Sequence, residues 1–530
     1  MTDLKPPSPV RYRAALCLAA LAALASLGHY AHSLCYPLLV QDDFQILSQS
    51  WTWERTWANL WVPQNEHAMP LGRLLTFVVV SLAGRPTALP FAAALVGPIS
   101  LLLGLTLVYR FVYRELGHPL YAVVAVVLFG VTAVYQQAVY WFAASFSILA
   151  LDTLLLGLLA AQRYRRTGSL LDIGTCTLFC ALSPCWFASG ILAGPLCCLY
   201  LLPRERLILG EPRPTRANFF RRAVLRASPL LGSFLFLAVS LPLTARTIMH
   251  LQHYENLKTN ALDAFQPGKG LLLSCQSVVE NLLLGMVGIG GVSVPWHLVG
   301  VVLTVAFVAA WRWWQLAPDR RLLLLGLGMI FAGYMLVYSA RARWFLPESG
   351  PMAPINEPRW SRYHLLPQLG LTLFICGGLP AWSRRLFVLK PDGSLTRGQV
   401  SRLGTLLILC YLIQLPHAIL GANSSFGFTG QLEALRRIEA MDACCREHQI
   451  SADAAVRVLP TLDIPVSMQS VNGWVFFARQ PQSGRSTGCR GQSYSRAMQG
   501  SDRYGENRRP HFGFSAARLA LSNWISASMR

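Results

Sequence analysis

The chain has 530 residues, 53% of them hydrophobic and only 13% charged, with a mean hydropathy of +0.41. That balance excludes a soluble protein of this length, because many apolar runs approach the roughly 20 residues that cross a bilayer. The formal net charge of +21 is carried mostly by arginine in short loops and the C-terminal tail. It reads as cytosolic loops and contact with anionic lipid heads, and no basic region interleaved with stacking aromatics points to nucleic acid.

Residues 1–13 are short and basic (Lys5, Arg11, Arg13) and are expected in the cytosol. The apolar run 14–34 lacks a small-residue cleavage site and reads as a signal anchor, delivering the next loop to the outer face. That loop, Tyr36 to Arg73, holds adjacent acids at Asp42 and Asp43, then Trp51, Trp53, Trp57 and Trp61, then Asn65-Glu66-His67. Tryptophan favours the bilayer–water boundary, so the loop is expected on the membrane surface. The run 70–84 is apolar but short, with Arg73 near its start. If it spanned, the basic loops up to Arg163 would fall on the wrong side, so it reads as an interfacial amphipathic helix.

Transmembrane helices follow at 87–110, 119–138 and 141–161, with Arg110, Arg114, Arg163, Arg165 and Arg166 in the cytosol. Asp152, in the middle of the last of these, is costly in hydrocarbon and calls for a partner or a wet cavity. The run 170–202 breaks at Ser183-Pro184 and is expected to form two short helices with an outward tip. An arginine-rich loop (203–222) precedes a helix at 224–245 and a polar outer loop at 246–269. Residues 270–291 carry Gln276, Ser277, Glu280 and Asn281 on one face and read as a second interfacial or cavity-lining helix. Further spans are expected at 297–315, 322–340, 365–381 and 403–421, placing the C-terminus outside. The outer loop 341–364 breaks the positive-inside rule with Arg341, Arg343, Arg359 and Arg362, which calls for a reason.

The expected class is thus an all-α polytopic protein of the plasma (inner) membrane with about 11 transmembrane helices. The membrane part covers 1–422, a small outer α/β segment 423–480, and a disordered basic tail 481–530. The 13 cysteines lie mostly within apolar runs without metal-ligand spacing and read as small buried hydrophobes. Cys444, Cys445 and Cys489, in the polar tail, are open to pairing if that tail lies outside the cytosol.

One outer face would therefore gather two acids, an Asn-Glu-His and an arginine cluster. Sugar transfer from a lipid-linked phosphosugar needs those parts: a carboxylate to take the proton of an attacking hydroxyl, and guanidinium groups to meet the charge on the departing phosphate. Asp42 or Asp43 is the expected base, with the choice between them open. Glu66 and His67 are candidates for binding the acceptor or a divalent ion, no cofactor being certain. Arg73, Arg359, Arg362 and Tyr363 are candidates for the donor phosphate.

The run His67-Ala68-Met69-Pro70-Leu71-Gly72-Arg73 resembles the His-Pro-Pro-Leu-Gly-Lys-like helix of the C-type polyprenyl-phosphate-dependent glycosyltransferases, with one residue inserted and Arg for Lys. That superfamily, GT-C, includes the protein O-mannosyltransferases and the aminoarabinose transferases acting on lipid A. Asp42-Asp43 is similar to its acidic pair in the first outer loop, and Arg362-Tyr363-His364-Leu365-Leu366-Pro367 to its Arg-Tyr-x-Leu-Pro-like late-loop motif. The resemblance covers roughly residues 10–420 in layout, carried by these three short motifs. It implies a GT-C-like fold, a polyprenyl-phosphate sugar donor, and a lipid, polysaccharide or protein acceptor, with inversion at the anomeric carbon. The rival readings are a transporter or flippase for a lipid-linked glycan, and a ligase or polymerase moving a whole glycan. Against the transporter stand the lack of repeated halves and the gathering of charge in two outer loops.

Overall fold

The computed structural model of the chain describes residues 9–35, 39, 43, 46–47, 49–64, 68–83, 88–202, 216–250, 265–290, 293–316, 320–345, 358–386 and 396–426. The described residues form helices and no strand, as an all-α membrane protein requires. The elements are α1 (Pro9–Cys35), α2 (Trp53–Ala58), α3 (Pro70–Ala83), α4 (Leu89–Leu116), α5 (Pro119–Gly130), α6 (Gln137–Tyr140), α7 (Phe142–Thr167), α8 (Leu170–Leu182) and α9 (Ala193–Leu201). The second half adds α10 (Arg216–Ala227), α11 (Pro229–His250), α12 (Pro267–Ser277), α13 (Trp296–Leu316), α14 (Arg321–Phe345), α15 (Leu365–Leu386) and α16 (Arg397–Phe426). The soluble segment and tail expected after 423 lie outside the described residues, save 423–426, which close α16.

Among the described residues, five helices are long and apolar enough to cross a membrane: α4, α7, α13, and the spans Arg321–Ala340 and Gly398–Pro416 of α14 and α16. Shorter apolar helices lie at Ala15–Tyr30, Pro119–Gly130, Leu170–Cys185, Ala188–Leu201 and Pro229–Leu243. The two most different spans are α7, 89% buried, and α13, 6% buried, so α7 is the hub and α13 sits at the rim. Around α7 pack α4, α8 and α9, with α5, α1 and α15 completing the largest core. On α13, Val301, Val305, Phe307 and Val308 point outward, the pattern of a lipid-facing helix.

Local chemistry sets the ends. Gly117 and Gly168 take left-handed backbone (φ 69° and 66°) and stop α4 and α7, as C′ glycines do. Pro119 and Pro229 open α5 and α11, where a missing N–H costs nothing. His118 caps α5: its Nδ1 accepts the Leu120 N–H at 3.1 Å, and burial holds its imidazole below the usual histidine range.

Three expected boundaries change. The helix expected at 119–138 ends at Gly130, and the chain turns through 131–136 before α6. Tertiary partners make that turn tolerable: Gln414 accepts the Ala133 N–H at 3.0 Å, and Tyr30 donates to the Thr132 carbonyl at 3.1 Å. The helix expected at 224–245 is divided before Pro229, leaving the basic α10 as a separate helix. The 270–291 segment becomes α12 followed by a π-helical turn, Val278–Leu283. Its polar face turns into protein, with Glu280 fully buried and Ser277 donating to the Tyr338 hydroxyl of α14 at 2.7 Å. Asp152 is 2% exposed and neither carboxylate oxygen has a hydrogen-bond partner among the described residues; it packs against Gly104 of α4.

Candidate functional site

The site grows from the one-residue break between α6 and α7. Trp141 occupies that break in extended backbone, so its indole is held at the N-terminus of the hub helix. Asp43, fully buried, reaches this point from the first loop. Its Oδ1 accepts the Trp141 indole N–H at 3.1 Å and the Ala143 backbone N–H at 2.8 Å. A carboxylate there satisfies an N–H that the helix leaves without an intrahelical partner and sits favourably in the dipole of α7.

Over the face of the same ring stands Arg362. Its guanidinium carbon lies 4.7 Å from the Trp141 ring centre and 4.4 Å from that of Tyr363. Nη1 donates to Gln137 Oε1 and Nη2 to the Tyr363 hydroxyl, each at 2.8 Å. Arg362 belongs to a 3-10 segment, Pro358–His364, that leads into α15. That segment is laced to α6 because Ser361 Oγ accepts the Gln137 N–H at 3.0 Å, and to α14 because His364 Nδ1 and the Tyr334 hydroxyl share a hydrogen bond at 3.1 Å. Cation–π stacking on a half-buried arginine of this kind orients the guanidinium while leaving its charge in place.

Trp141, Arg362 and Tyr363 line a cavity of about 500 Å³; Asp43, behind the indole, is not among its lining residues. Gln64, Trp141, Arg362 and Tyr363 give it a polar end, while Ala143, Ala144, Ser147 and Ala150 of α7 keep one wall thin. Leu154, Phe236, Leu237, Leu336 and Val337 make much of the remainder apolar, interrupted by Ser183, Ser189 and Ser240. The shape suits an amphipathic ligand with a charged head and a hydrocarbon body.

The other expected site residues fall in different places. Asp42, Glu66 and His67 lie outside the described residues, as does the side chain of Arg359, whose backbone is part of the 3-10 segment. Arg73 is fully buried and is not among the residues lining the cavity. Its Nη1 donates to Gln49 Oε1 at 2.6 Å and its Nη2 to the Val62 carbonyl at 2.8 Å, tying together the two ends of the tryptophan-bearing loop. Within that loop Trp53 and Trp57 are exposed and stacked, 6.0 Å between ring centres, with Trp53 also against Phe77 of α3.

Reading the sequence missed Trp141, Gln137 and Ser361. A signal existed for the second: Gln136-Gln137 interrupts an otherwise apolar stretch. No family model matches the chain, and no curated protein matches it either.

Proposed function

We propose that this chain is an integral membrane glycosyltransferase of GT-C type, with about eleven crossings, a cytosolic N-terminus and its site at the outer face. It takes a sugar from a polyprenyl-phosphate donor and passes it to a hydroxyl of a lipid, polysaccharide or protein acceptor. The observation that carries this reading is the meeting of Asp43 and Arg362 on the indole of Trp141, which together with Arg362 lines a largely apolar cavity.

In this reading the donor phosphate lies against Arg362 and Tyr363, with Arg359 from the same segment, and the first units of the lipid occupy the apolar body. The acceptor oxygen forms its bond to the anomeric carbon as the carbon–oxygen bond to phosphate breaks, with inversion. The bonding pair leaves on the polyprenyl phosphate, where guanidinium and phenol donors meet the growing charge. The acceptor proton goes to a carboxylate. Asp43, accepting from an indole and a helix N-terminus, suits the orienting role, so Asp42 is the assigned base. Arg73 acts by holding the loop that carries both. Glu66 and His67 remain the candidates for acceptor or divalent-ion binding.

The test uses purified protein in proteoliposomes with a panel of polyprenyl-phosphate hexoses and pentoses, following release of polyprenyl phosphate. Asp42→Asn should lower turnover by at least about a hundredfold, the scale of a lost general base, while donor binding persists. Full activity in both Asp42→Asn and Asp43→Asn would end the reading.

A further inference from the structure

Away from the cavity, three cysteines come together inside the helical core. Cys176 and Cys180 are one helical turn apart on α8, so both thiols leave the same face. Cys197 on α9 projects toward them, and the three sulfur atoms all lie within 4.8 Å of one another. All three residues have no solvent exposure. Gly157 of α7 backs the group: a Cβ there would stand 3.5 Å from Cys197 Sγ, so no side chain separates the hub helix from the sulfurs.

We propose that Cys176, Cys180 and Cys197 form an all-sulfur binding site for a soft monovalent metal ion, copper(I) in the first place. Three sulfurs bonded at about 2.3 Å to a central ion in a trigonal plane stand about 4 Å apart, a separation these thiols already approach. Softness selects the ion, since thiolate sets favour Cu(I), Zn or iron–sulfur clusters over hard cations. Coordination number then separates those three. Structural zinc takes four ligands, and among the described residues this group stops at three sulfurs. The neighbouring thiols are turned elsewhere: Cys198 Sγ donates to the Ala227 carbonyl at 3.7 Å and Cys185 Sγ to the Ala181 carbonyl at 3.4 Å.

The competing account is that the thiols merely fill volume between α7, α8 and α9, as buried cysteines often do.

The experiment uses the full-length protein in detergent, fully reduced and kept anaerobic, titrated with Cu(I) against a competing chelator. The wild type should take up one ion more than the triple variant Cys176→Ala/Cys180→Ala/Cys197→Ala, and release protons as the thiols become thiolates. Each single serine variant should retain the ion at least about tenfold more weakly, because losing a ligand matters no less than losing the groups that support one. Equal stoichiometry in wild type and triple variant would assign the copper to other thiols and overturn the site. If the triple variant fails to fold, X-ray absorption of the loaded wild type decides instead. Three sulfur neighbours support the site, and two sulfurs or a nitrogen or oxygen neighbour overturn it. Zinc held against the chelator while Cu(I) is not would equally overturn the choice of ion.

Discussion

The two ends of α7 handle charge in opposite ways. At its C-terminal end Arg165 touches Glu115 directly, Nη1 to Oε1 at 2.9 Å, and the Tyr200 hydroxyl bridges them at 2.7 and 2.6 Å. Gln162 adds a third contact to Glu115 at 2.7 Å. At its N-terminal end Asp43 and Arg362 meet through Trp141, which takes the carboxylate on its N–H and the guanidinium on its face. The first arrangement neutralises two ions against each other. The second keeps an acid and a base oriented on a shared neutral ring beside a cavity, where a ligand carrying its own charge fits. Direct pairing builds the helix bundle, and pairing through an aromatic leaves electrostatics to be used by something that binds.

That contrast is breakable. The largest effect should come from Glu115→Ala, which leaves Arg165 without its carboxylate in a setting where its side chain is only 18% exposed. A loss of about 3–5 kcal/mol is expected, read as a lower thermal midpoint in detergent, with transfer per folded molecule unchanged. An equal fall in specific activity would erase the distinction between the two ends. Next, Arg362→Ala should cut kcat/KM about 10²–10³-fold with a much smaller change in stability, and Arg362→Lys should recover only part, since an ammonium neither stacks flat nor forks. Trp141→Phe sharpens the comparison further. It keeps a ring for Arg362 and removes the N–H given to Asp43, so about 0.5–1.5 kcal/mol of stability should go while donor binding changes little.

The smallest effect lies outside both ends, at the cap of α5. His118 accepts a backbone N–H through Nδ1, which only the neutral ring can do, and its folded pKa is lowered by burial. The unfolded chain, with an ordinary value of about 6.5, therefore takes up the proton first as pH falls. Stability from this residue is complete above that value and is lost as pH drops through the lower folded one. Replacement by Asn, which caps without titrating, should flatten this part of the stability–pH curve; a curve identical to wild type would show the imidazole contributes nothing.

Much of this was readable before any coordinates. The apolar runs themselves mark helices, and the start at Pro119 is as expected; the expected ends at 110 and 161 fall short of the stops at Gly117 and Gly168, and Pro229 rather than residue 224 opens α11. Arg362 stands out because arginine in an expected outer loop breaks a topological rule, and Tyr363 because the two resemble a late-loop motif. Trp141 gave no such signal: an aromatic residue in an apolar run looks like core, and only the fold brings residues 43 and 362 to it. The stop of α5 at Gly130 was hidden for a related reason, since Gln414 and Tyr30, far away in the chain, provide the bonds that let the backbone turn. For the cysteines, the helical spacing of Cys176 and Cys180 is visible, but the third thiol arrives on another helix.

The lacing of Ser361 and Arg362 to Gln137 spans more than two hundred positions of chain. During synthesis, α6 and α7 therefore enter the bilayer long before the segment that covers their junction exists. A nascent chain halted before residue 358 holds Trp141 without its arginine, so it presents half a pocket to the insertion machinery and to surrounding lipid. Assembly of this site is accordingly a late event, reached only when α15 docks, and ribosome-stalled chains of increasing length should acquire protection of the α6–α7 junction in one step at that point.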